Sequence, residues 1–423
     1  MITKAPRGTR DLLPKEIVQW HYFEEKVREV CRLFGYQEIR TPIFEHTELF
    51  LRGVGEVTDI VSKEMYTFMD RGERSLTLRP EGTAAVARAY LENKMHGEAQ
   101  PIKLYYVGPM FRYDRPQAGR YRQFHQFGVE VFGSQAAELD AEVITLSLFF
   151  FRALGLNDFT LHINSVGCPQ CRQEYRRQLQ AALQDKVSAL CADCAERFAK
   201  NPLRILDCKQ NKCRELTQDV PSMLDVLCGE CAEHFAQLRQ TLDELGENYV
   251  VNPRLVRGLD YYTKTAFEII SPALGAQSSI CGGGRYDYLL NTIGGPQIPG
   301  IGFAVGIERV LLALEAAGVQ LGEPDKPEVF VATAKVAPKE ALKLTMDLRQ
   351  AGLAAEQDFL NRSLKAQLKY ADKKGIKLVV ILGEEEMQKG QVTVREMQTG
   401  SQETVTINEL ATHLAALVRR KDK

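Results

Sequence analysis

The sequence predicts an α+β protein: an antiparallel sheet domain flanked by helices, interrupted by a helical cysteine-rich insertion and followed by a small α/β domain. Three observations carry this reading. Short β-forming runs succeed one another between residues 36 and 133, eight of the ten cysteines fall within residues 168–231, and β and α patterns alternate beyond residue 328.

The opening element is an amphipathic helix over residues 15–34. Ile17, Val18, Tyr22, Phe23, Val27, Val30, Cys31 and Phe34 recur at helical spacing, and Gly35 stands where a helix end favours glycine. Next come YQEIRTPIFE, SLTLRP, PIKLYYVGPMFRYD and RQFHQFGVEVFG, rich in β-formers with near-alternating polarity, which read as antiparallel strands. A helix over about 138–154 closes this block, and LHINSV reads as a further strand. After the cysteines, strand patterns resume at LVRGLDYYT and AFEIIS, pass through a glycine-dense stretch from Gly282 to Gly306 and end in the helix IERVLLALEAAG. The strands on both sides of the insertion are expected to share one sheet.

Residues 319–327, VQLGEPDKP, mix Pro, Gly and charge as interdomain linkers do. Beyond them PEVFVATA, a helix over 338–351, LAAEQ, a basic helix over 362–374 and KLVVILG alternate β and α, which predicts a small parallel sheet covered by helices. The resulting division is 1–165 and 249–318 for the two parts of the sheet domain, 166–248 for the insertion, 319–327 for the linker and 328–423 for the last domain.

Composition narrows the function classes. With 44% hydrophobic and 26% charged residues, the chain has the balance of a globular protein and not of a disordered or fibrous one. No apolar run reaches the roughly eighteen residues that span a bilayer, and MITKAPRGTRDLLP lacks a signal peptide's apolar stretch, so no membrane partner and a cytoplasmic location are expected. A net charge of −1 means that any nucleic acid must be met by local basic patches. There is no GxxxxGK[ST] loop and no HExxH pair, and the glycines of GGPQIPGIGFAVGIER lack a dinucleotide-binding context, so they read as closely packed sheet backbone.

Chemistry concentrates in a few segments. FRYDRPQAGRYRQFHQFGVEVFG places Arg115, Arg120 and Arg122 in a loop between two strands, with Arg112 just before it; guanidinium forks suit phosphate oxygens. In QFGVEVFG a period of two puts Gln126, Gly128 and Glu130 on one face, where a carboxylate can accept a substrate N–H and Gly128 leaves room for the substrate. In TLRPEGT, an extended or turn segment, Glu81 and Thr83 offer an anion and a hydroxyl to an ammonium group. LVRGLDYYT combines Arg257, Asp260, Tyr261 and Tyr262, and Arg309 stands at a strand-to-helix junction where an arginine can meet a terminal phosphate. Surface turns and ordinary ion pairs are the bland readings of each segment taken alone.

Together these segments resemble the three motifs of class II aminoacyl-tRNA synthetases: YQEIRTPIFE motif 1, FRYDRPQ through FGVEVFG motif 2, and GIGFAVGIERVL motif 3. LVRGLDYYT and SICGGGRYD resemble the two segments that characterise histidyl-tRNA synthetases, and the match runs from Arg7 to the C-terminus. The resemblance implies a class II synthetase antiparallel-sheet catalytic domain and a C-terminal α/β anticodon-binding domain. It implies that Arg112 and Arg309 hold the α- and γ-phosphates of ATP with Mg²⁺ bridging them, that Arg120 joins the ATP site, and that Arg257 is catalytic. Glu81 and Thr83 would receive the α-ammonium of histidine, Glu130 and Tyr262 would face its imidazole, and Gln126 and Tyr261 would line the pocket alongside Arg112 and Arg257. Arg115 and Gln117 would lie near the tRNA acceptor end. The implied partners are tRNA(His), L-histidine, ATP and a second copy of the chain, the homodimer contact being expected at motif 1.

From Lys326 to the C-terminus there are 17 Lys and Arg against 13 Asp and Glu, and Lys365, Lys369, Lys373 and Lys374 cluster on or near one helix where RNA phosphates are a fitting partner and a solvated face an equal alternative. The pairs Cys168/Cys171, Cys191/Cys194 and Cys228/Cys231, with Cys208 and Cys213, have spacings fit for structural zinc, while thiols buried in a core are the competing reading. Three rivals are weighed: a regulatory subunit of histidine biosynthesis, which usually lacks the arginine of RGLDYY and the last domain, both present here; another class II synthetase, for threonine, proline or glycine, against which LVRGLDYYT and CGGGRYD argue; and an RNA-binding protein without catalysis, which would leave the polar pocket unused.

Overall fold

The computed structural model describes residues 3–421 apart from 56, 57, 118, 278, 323 and 325. It divides into two compact units, Met1–Gly322 and Glu323–Lys423. Two residues of the expected linker, 323 and 325, lie outside the described residues.

The first unit carries β1 (Gln37–Glu38), β2 (Phe44–His46), β3 (Tyr66–Met69), β4 (Ser75–Leu78), β5 (Ile102–Phe111), β6 (Gln123–Phe132), β7 (Thr160–Ser165), β8 (Tyr249–Val251), β9 (Thr263–Ile270), β10 (Ser279–Arg285) and β11 (Gly300–Gly306). Eight of them form one sheet in the order β1-β5-β6-β11-β10-β9-β7-β8, so strands from both sides of the insertion do share a sheet. The order β2-β4-β3 makes a second, small sheet.

Alternation decides which face of the large sheet is core. Phe127, Val129 and Val131 of β6, Phe267 and Ile269 of β9, and Phe303 and Val305 of β11 pack with Phe23, Val27 and Val30 of the helix Pro14–Leu33 and with Val143, Leu146 and Phe150 of the helix Ala137–Ala153. The opening helix begins with Pro14 in its first turn, and Gly35 just beyond its end takes φ +77°, a left-handed conformation that favours glycine. Because side chains alternate across a strand, Gln126, Gly128 and Glu130 are turned to the opposite face.

Three local readings are corrected. The strand β1 pairs parallel with β5, not antiparallel, because the small sheet and the helix Thr83–Glu92 intervene and make the connection a crossover instead of a hairpin. Thr83 does not lie on an extended segment; it opens that helix, which its alanines favour and whose first N–H groups the Glu81 carboxylate accepts. The segment Leu255–Tyr262 carries no strand, since β9 begins at Thr263. Its side chains are drawn to separate partners: Asn201 Nδ2 donates to Asp260 and Arg257 Nη1 donates to Glu268.

Residues 166–248 are mainly helical, with Pro169–Leu183, Ala192–Lys200, Asn211–Leu216 and Gly229–Glu244 as the α-helices. Leu179, Leu183, Ile205 and Met223 gather around the cysteines in a small core. The helix Gly229–Glu244 instead sends Phe235, Leu238 and Leu242 into the main core.

The second unit holds β12 (Val329–Ala334), β13 (Ala355–Gln357), β14 (Leu378–Gly383), β15 (Gln391–Glu396) and β16 (Gln402–Thr406) in the order β13-β12-β14-β15-β16. The pairs of β12 with β13 and β14 are parallel as expected, whereas β15 and β16 add an antiparallel hairpin that the sequence reading missed, together with the final helix Ile407–Lys421. Leu344, Leu348, Leu410 and Leu414 cover one face of the sheet, and Ala371 with Ile376 meets Phe330 and Val379 on the other. No helix among the described residues is long and apolar enough to cross a membrane.

Candidate active site

The polar face of the large sheet forms the floor of a cavity of about 1030 Å³. Its lining brings together Glu81, Thr83, Arg112, Arg120, Gln126, Arg257, Tyr261, Tyr262 and Arg309, residues spread over more than two hundred positions of sequence. Register explains the floor: Gln126 faces Gly306, Gly128 faces Ala304 and Glu130 faces Gly302 across β6 and β11. Small residues on β11 leave depth above the sheet.

Glu130 sits beneath this lining and is fully buried. Thr83 Oγ1 donates to its Oε1 at 2.7 Å, and the Tyr286 hydroxyl donates to its Oε2. Burial pushes the Glu130 carboxyl up to about 8 even though these hydroxyls favour its charged form. The expected direct exposure of Glu130 to a substrate is thus replaced by a carboxyl one layer down, with two hydroxyls in front of it. Within SICGGGRYD nothing local marks Tyr286 for the site; its backbone pairing with Gly300 of β11 is what brings its hydroxyl to Glu130.

Gly128 does not leave room for a substrate. The ring of Tyr106, its partner on β5, fills the space where a Cβ at Gly128 or at Gly82 would stand. Gly282 plays a comparable part for Arg257, whose guanidinium occupies the space a Cβ there would take. Arg257 Nη1 donates to Glu268 Oε1 at 3.3 Å and its guanidinium lies 5.8 Å from the Tyr262 ring centroid. Burial would lower this guanidinium, but Tyr262 and Glu268 hold its pKa above the ordinary value.

Glu81 accepts from the backbone N–H of Thr83 at 2.7 Å and of Ala84 at 2.8 Å, and burial raises its pKa against those bonds. Arg112 Nε donates to Pro80 O at 2.8 Å, which fixes the fork beside Glu81; burial lowers its pKa while Glu64 and Glu81 oppose that. Burial lowers Arg309 too, and the nearby Arg120 adds to this. Neighbouring guanidinium groups of like charge in one cavity are suited to an anion that carries several charges. Among the described residues, Gln126 Oε1 and Arg257 Nε are buried with no hydrogen-bond partner, an unmet capacity that a polar ligand can fill.

The arginine loop divides. Arg120 lines the cavity and donates from Nη1 to Asp114 at 3.1 Å, whereas Arg122 turns away, 3.7 Å from the Tyr113 ring centroid. Arg115 and Gln117 are exposed on the loop, where Gln117 bridges to Arg120. The far wall comes from the insertion: Arg204, Leu206, Asp207, Lys209 and Arg214 line the same cavity, and sequence reading assigned none of them. Their signal was hidden, since a shared cavity between residues 204–214 and the sheet depends on how the inserted segment folds back.

The family model described as histidyl-tRNA synthetase matches residues 8–310, and that of an anticodon binding domain matches residues 328–417. The chain is 57% identical over 417 residues to a histidine–tRNA ligase of Desulforamulus reducens, covering 98% of this chain and 100% of the relative. It is 52% identical over 416 residues to that of Clostridioides difficile, with 98% and 99% covered. The crystal structure of apo S. aureus histidyl-tRNA synthetase superposes with a TM-score of 0.83 at 41% identity, covering 98% of this chain and 100% of that one.

Proposed function

The chain belongs to the histidyl-tRNA synthetase family, and on that premise we propose a division of labour within its cavity. The activity is that of a histidine–tRNA ligase: ATP-dependent conversion of L-histidine to histidyl-adenylate, then transfer of histidine to the 3′ end of tRNA(His), with release of AMP and pyrophosphate. The observation that supports the assignment of residues is the convergence of Arg112, Arg257 and Arg309 with Gln126, Tyr261 and Tyr262 on one cavity.

Arg112 holds the α-phosphate and Arg309, with Arg120, the outer phosphates. Mg²⁺ comes with ATP and offsets phosphate charge. Attack of the histidine carboxylate on the α-phosphorus needs alignment and charge neutralisation more than covalent help, and Arg257 stabilises the charge that develops between the two. Glu81 and Thr83 take the α-ammonium. The imidazole is received by Tyr262 and, past the hydroxyls of Thr83 and Tyr286, by Glu130, with Gln126 and Tyr261 shaping the pocket.

Arg115 and Gln117, exposed on the motif 2 loop, meet the tRNA acceptor end, and residues 166–248 close over the acceptor arm. Residues 328–423 take the anticodon stem, with the exposed Lys365, Lys369 and Lys373 spaced four apart on the helix Leu364–Lys374. A homodimer is part of the same reading. Its support is the small sheet, where alternation and register put Phe44, Tyr66, Phe68, Leu76 and Leu78 on one face, with Phe44 and Phe68 52% and 44% exposed. A cytoplasmic location belongs to the same proposal, since tRNA is the substrate it assigns.

Histidine-dependent exchange of pyrophosphate into ATP tests the reading. A regulatory subunit or a binding module gives none, and exchange driven by another amino acid in place of histidine would overturn the assignment.

A further inference from the structure

Eight of the ten cysteines assemble into two separate groups: Cys168, Cys171, Cys228 and Cys231, and Cys191, Cys194, Cys208 and Cys213, the sulfurs within each group lying within 4.8 Å of one another. Sequence spacing alone marked the three CxxC pairs; the structure joins the first to the third and completes the second with Cys208 and Cys213. Cys168 and Cys171 Sγ are 3.5 Å apart, Cys168 and Cys228 3.9 Å, and Cys191 and Cys208 3.9 Å. Sulfurs of a disulfide stand about 2.05 Å apart, whereas four thiolates around a tetrahedral zinc at about 2.3 Å stand roughly 3.8 Å apart. The observed spacing is that of the second arrangement.

The local geometry prepares the sulfurs as ligands. Cys168, Cys191 and Cys228 each stand at the N-cap of a helix, with their CxxC partners in the first turn. The Cys228 N–H donates to Cys171 Sγ at 3.1 Å and the Cys191 N–H to Cys213 Sγ at 3.3 Å, contacts that favour a thiolate. Cys171, Cys194, Cys208, Cys213 and Cys231 are buried among apolar side chains, where several like charges would be costly without a cation.

We propose that each four-cysteine group holds one zinc ion, and that the second ion braces the insertion's wall of the active cavity. The first group joins the start of the insertion to the start of its last α-helix, closing a loop between Cys168 and Cys228. The second group acts on the site. Cys208 lies between Asp207 and Lys209, and Cys213 precedes Arg214, all three neighbours being cavity-lining residues. Arg214 Nε donates to Cys208 O at 3.2 Å, and Arg204 Nη2 reaches Asp59 at 3.3 Å. The stretch from Pro202 to Lys209 contains a single 3-10 turn, Pro202–Ile205, and no strand, so its fixed position depends on side-chain ties, of which the sulfur cluster is the one that a metal makes rigid. The bracing role rests on the synthetase reading; the metal sites do not.

Metal analysis of the purified full-length chain, with titration of reactive thiols in the native and the unfolded protein, is the test. Two zinc ions per chain are expected, with native thiols protected. Cys171→Ser and Cys208→Ser should each fall to one zinc, and cobalt taken up in place of zinc should show the spectrum of a tetrahedral thiolate site. Cys208→Ser should also lose at least tenfold in pyrophosphate-exchange kcat/KM. Eight reactive thiols without metal, disulfides, or iron in the sites would overturn the proposal, and the wild-type count decides this even if a variant does not fold. Two zinc ions in a chain without pyrophosphate exchange would uphold the sites and refute the synthetase reading; exchange with no metal would do the reverse.

Discussion

Thr83 Oγ1 donates to Glu130 Oε1 at 2.7 Å, so the residue that opens one helix also covers a fully buried carboxyl beneath the cavity. That carboxyl is held at about 8 by burial. Between about pH 4.5 and 8 the folded protein keeps a proton that the unfolded chain has released. The group's contribution to stability is therefore full below about pH 4.5 and is lost as pH rises through 8. Glu64, Glu81, Asp260 and Asp287 are also raised by burial, so the readout is the difference between wild type and Glu130→Gln. Without substrates, the thermal midpoint of the variant should fall less steeply from pH 5 to 8. Parallel curves would show that Glu130 does not titrate in this window.

Arg257→Ala is expected to lower the rate of adenylate formation by about 10²–10³-fold, the loss typical of removing one transition-state donor, while calorimetric binding of histidine is largely kept. Single-turnover measurement separates the two. Normal activation in the variant would remove Arg257 from the catalytic group.

Two glycine substitutions should fail in different ways. A methyl at Gly128 meets the buried Tyr106 ring, and overpacking of this kind costs about 1–3 kcal/mol, so Gly128→Ala should lower the unfolding midpoint. At Gly282 the obstacle is the guanidinium of Arg257, the end of a flexible side chain. Gly282→Ala should therefore stay folded and lose pyrophosphate exchange. The reverse pattern would contradict the assigned contacts.

Arg285 is fully buried and donates to Asp140 at 3.1 Å from Nε and to Asp287 at 3.1 Å from Nη1. Removing one partner of such a network leaves charge buried and unpaired, at a cost of about 3–5 kcal/mol. Arg285→Met should show this in chemical denaturation of the first unit's transition. A loss below 1 kcal/mol would contradict the burial of this network, since solvent would then have to reach both carboxylates once the guanidinium is gone.

Replacing Lys365, Lys369 and Lys373 together with alanine should weaken tRNA binding and leave pyrophosphate exchange unchanged. The salt dependence of binding should become shallower by about one unit of slope for each lysine that meets a phosphate. An unaltered slope would return these lysines to the role of a solvated face.

Much of this was legible because some patterns are local. The period of two in QFGVEVFG puts three residues into the core and turns Gln126, Gly128 and Glu130 to the cavity side of the sheet, where Gln126 alone of the three lines the cavity. The helical period of residues 15–34, ended by Gly35, matches the helix Pro14–Leu33. Other features carried no strong periodic signature. TAAVARAY, whose small alanines show little amphipathic contrast, became a helix through its own propensity and the Glu81 cap. QVTVRE does alternate, with Val392 and Val394 buried, and the sequence reading passed over it, whereas QETVT is almost wholly exposed and carries no such contrast.

By itself the sequence determined the kinds of chemistry on offer: guanidinium groups for phosphates, carboxyl and phenolic groups for a nitrogenous side chain, and thiols in metal-binding spacing. Tertiary structure alone decided their depth and company. It placed Glu130 under Thr83 and Tyr286, gave Gly128 to Tyr106 and Gly282 to Arg257, split eight cysteines four and four, and brought Arg204, Lys209 and Arg214 to the cavity above the sheet. The reason is that burial and pairing arise between segments far apart in the chain, and the ordering of charge, pKa and space within a site follows from those long-range contacts.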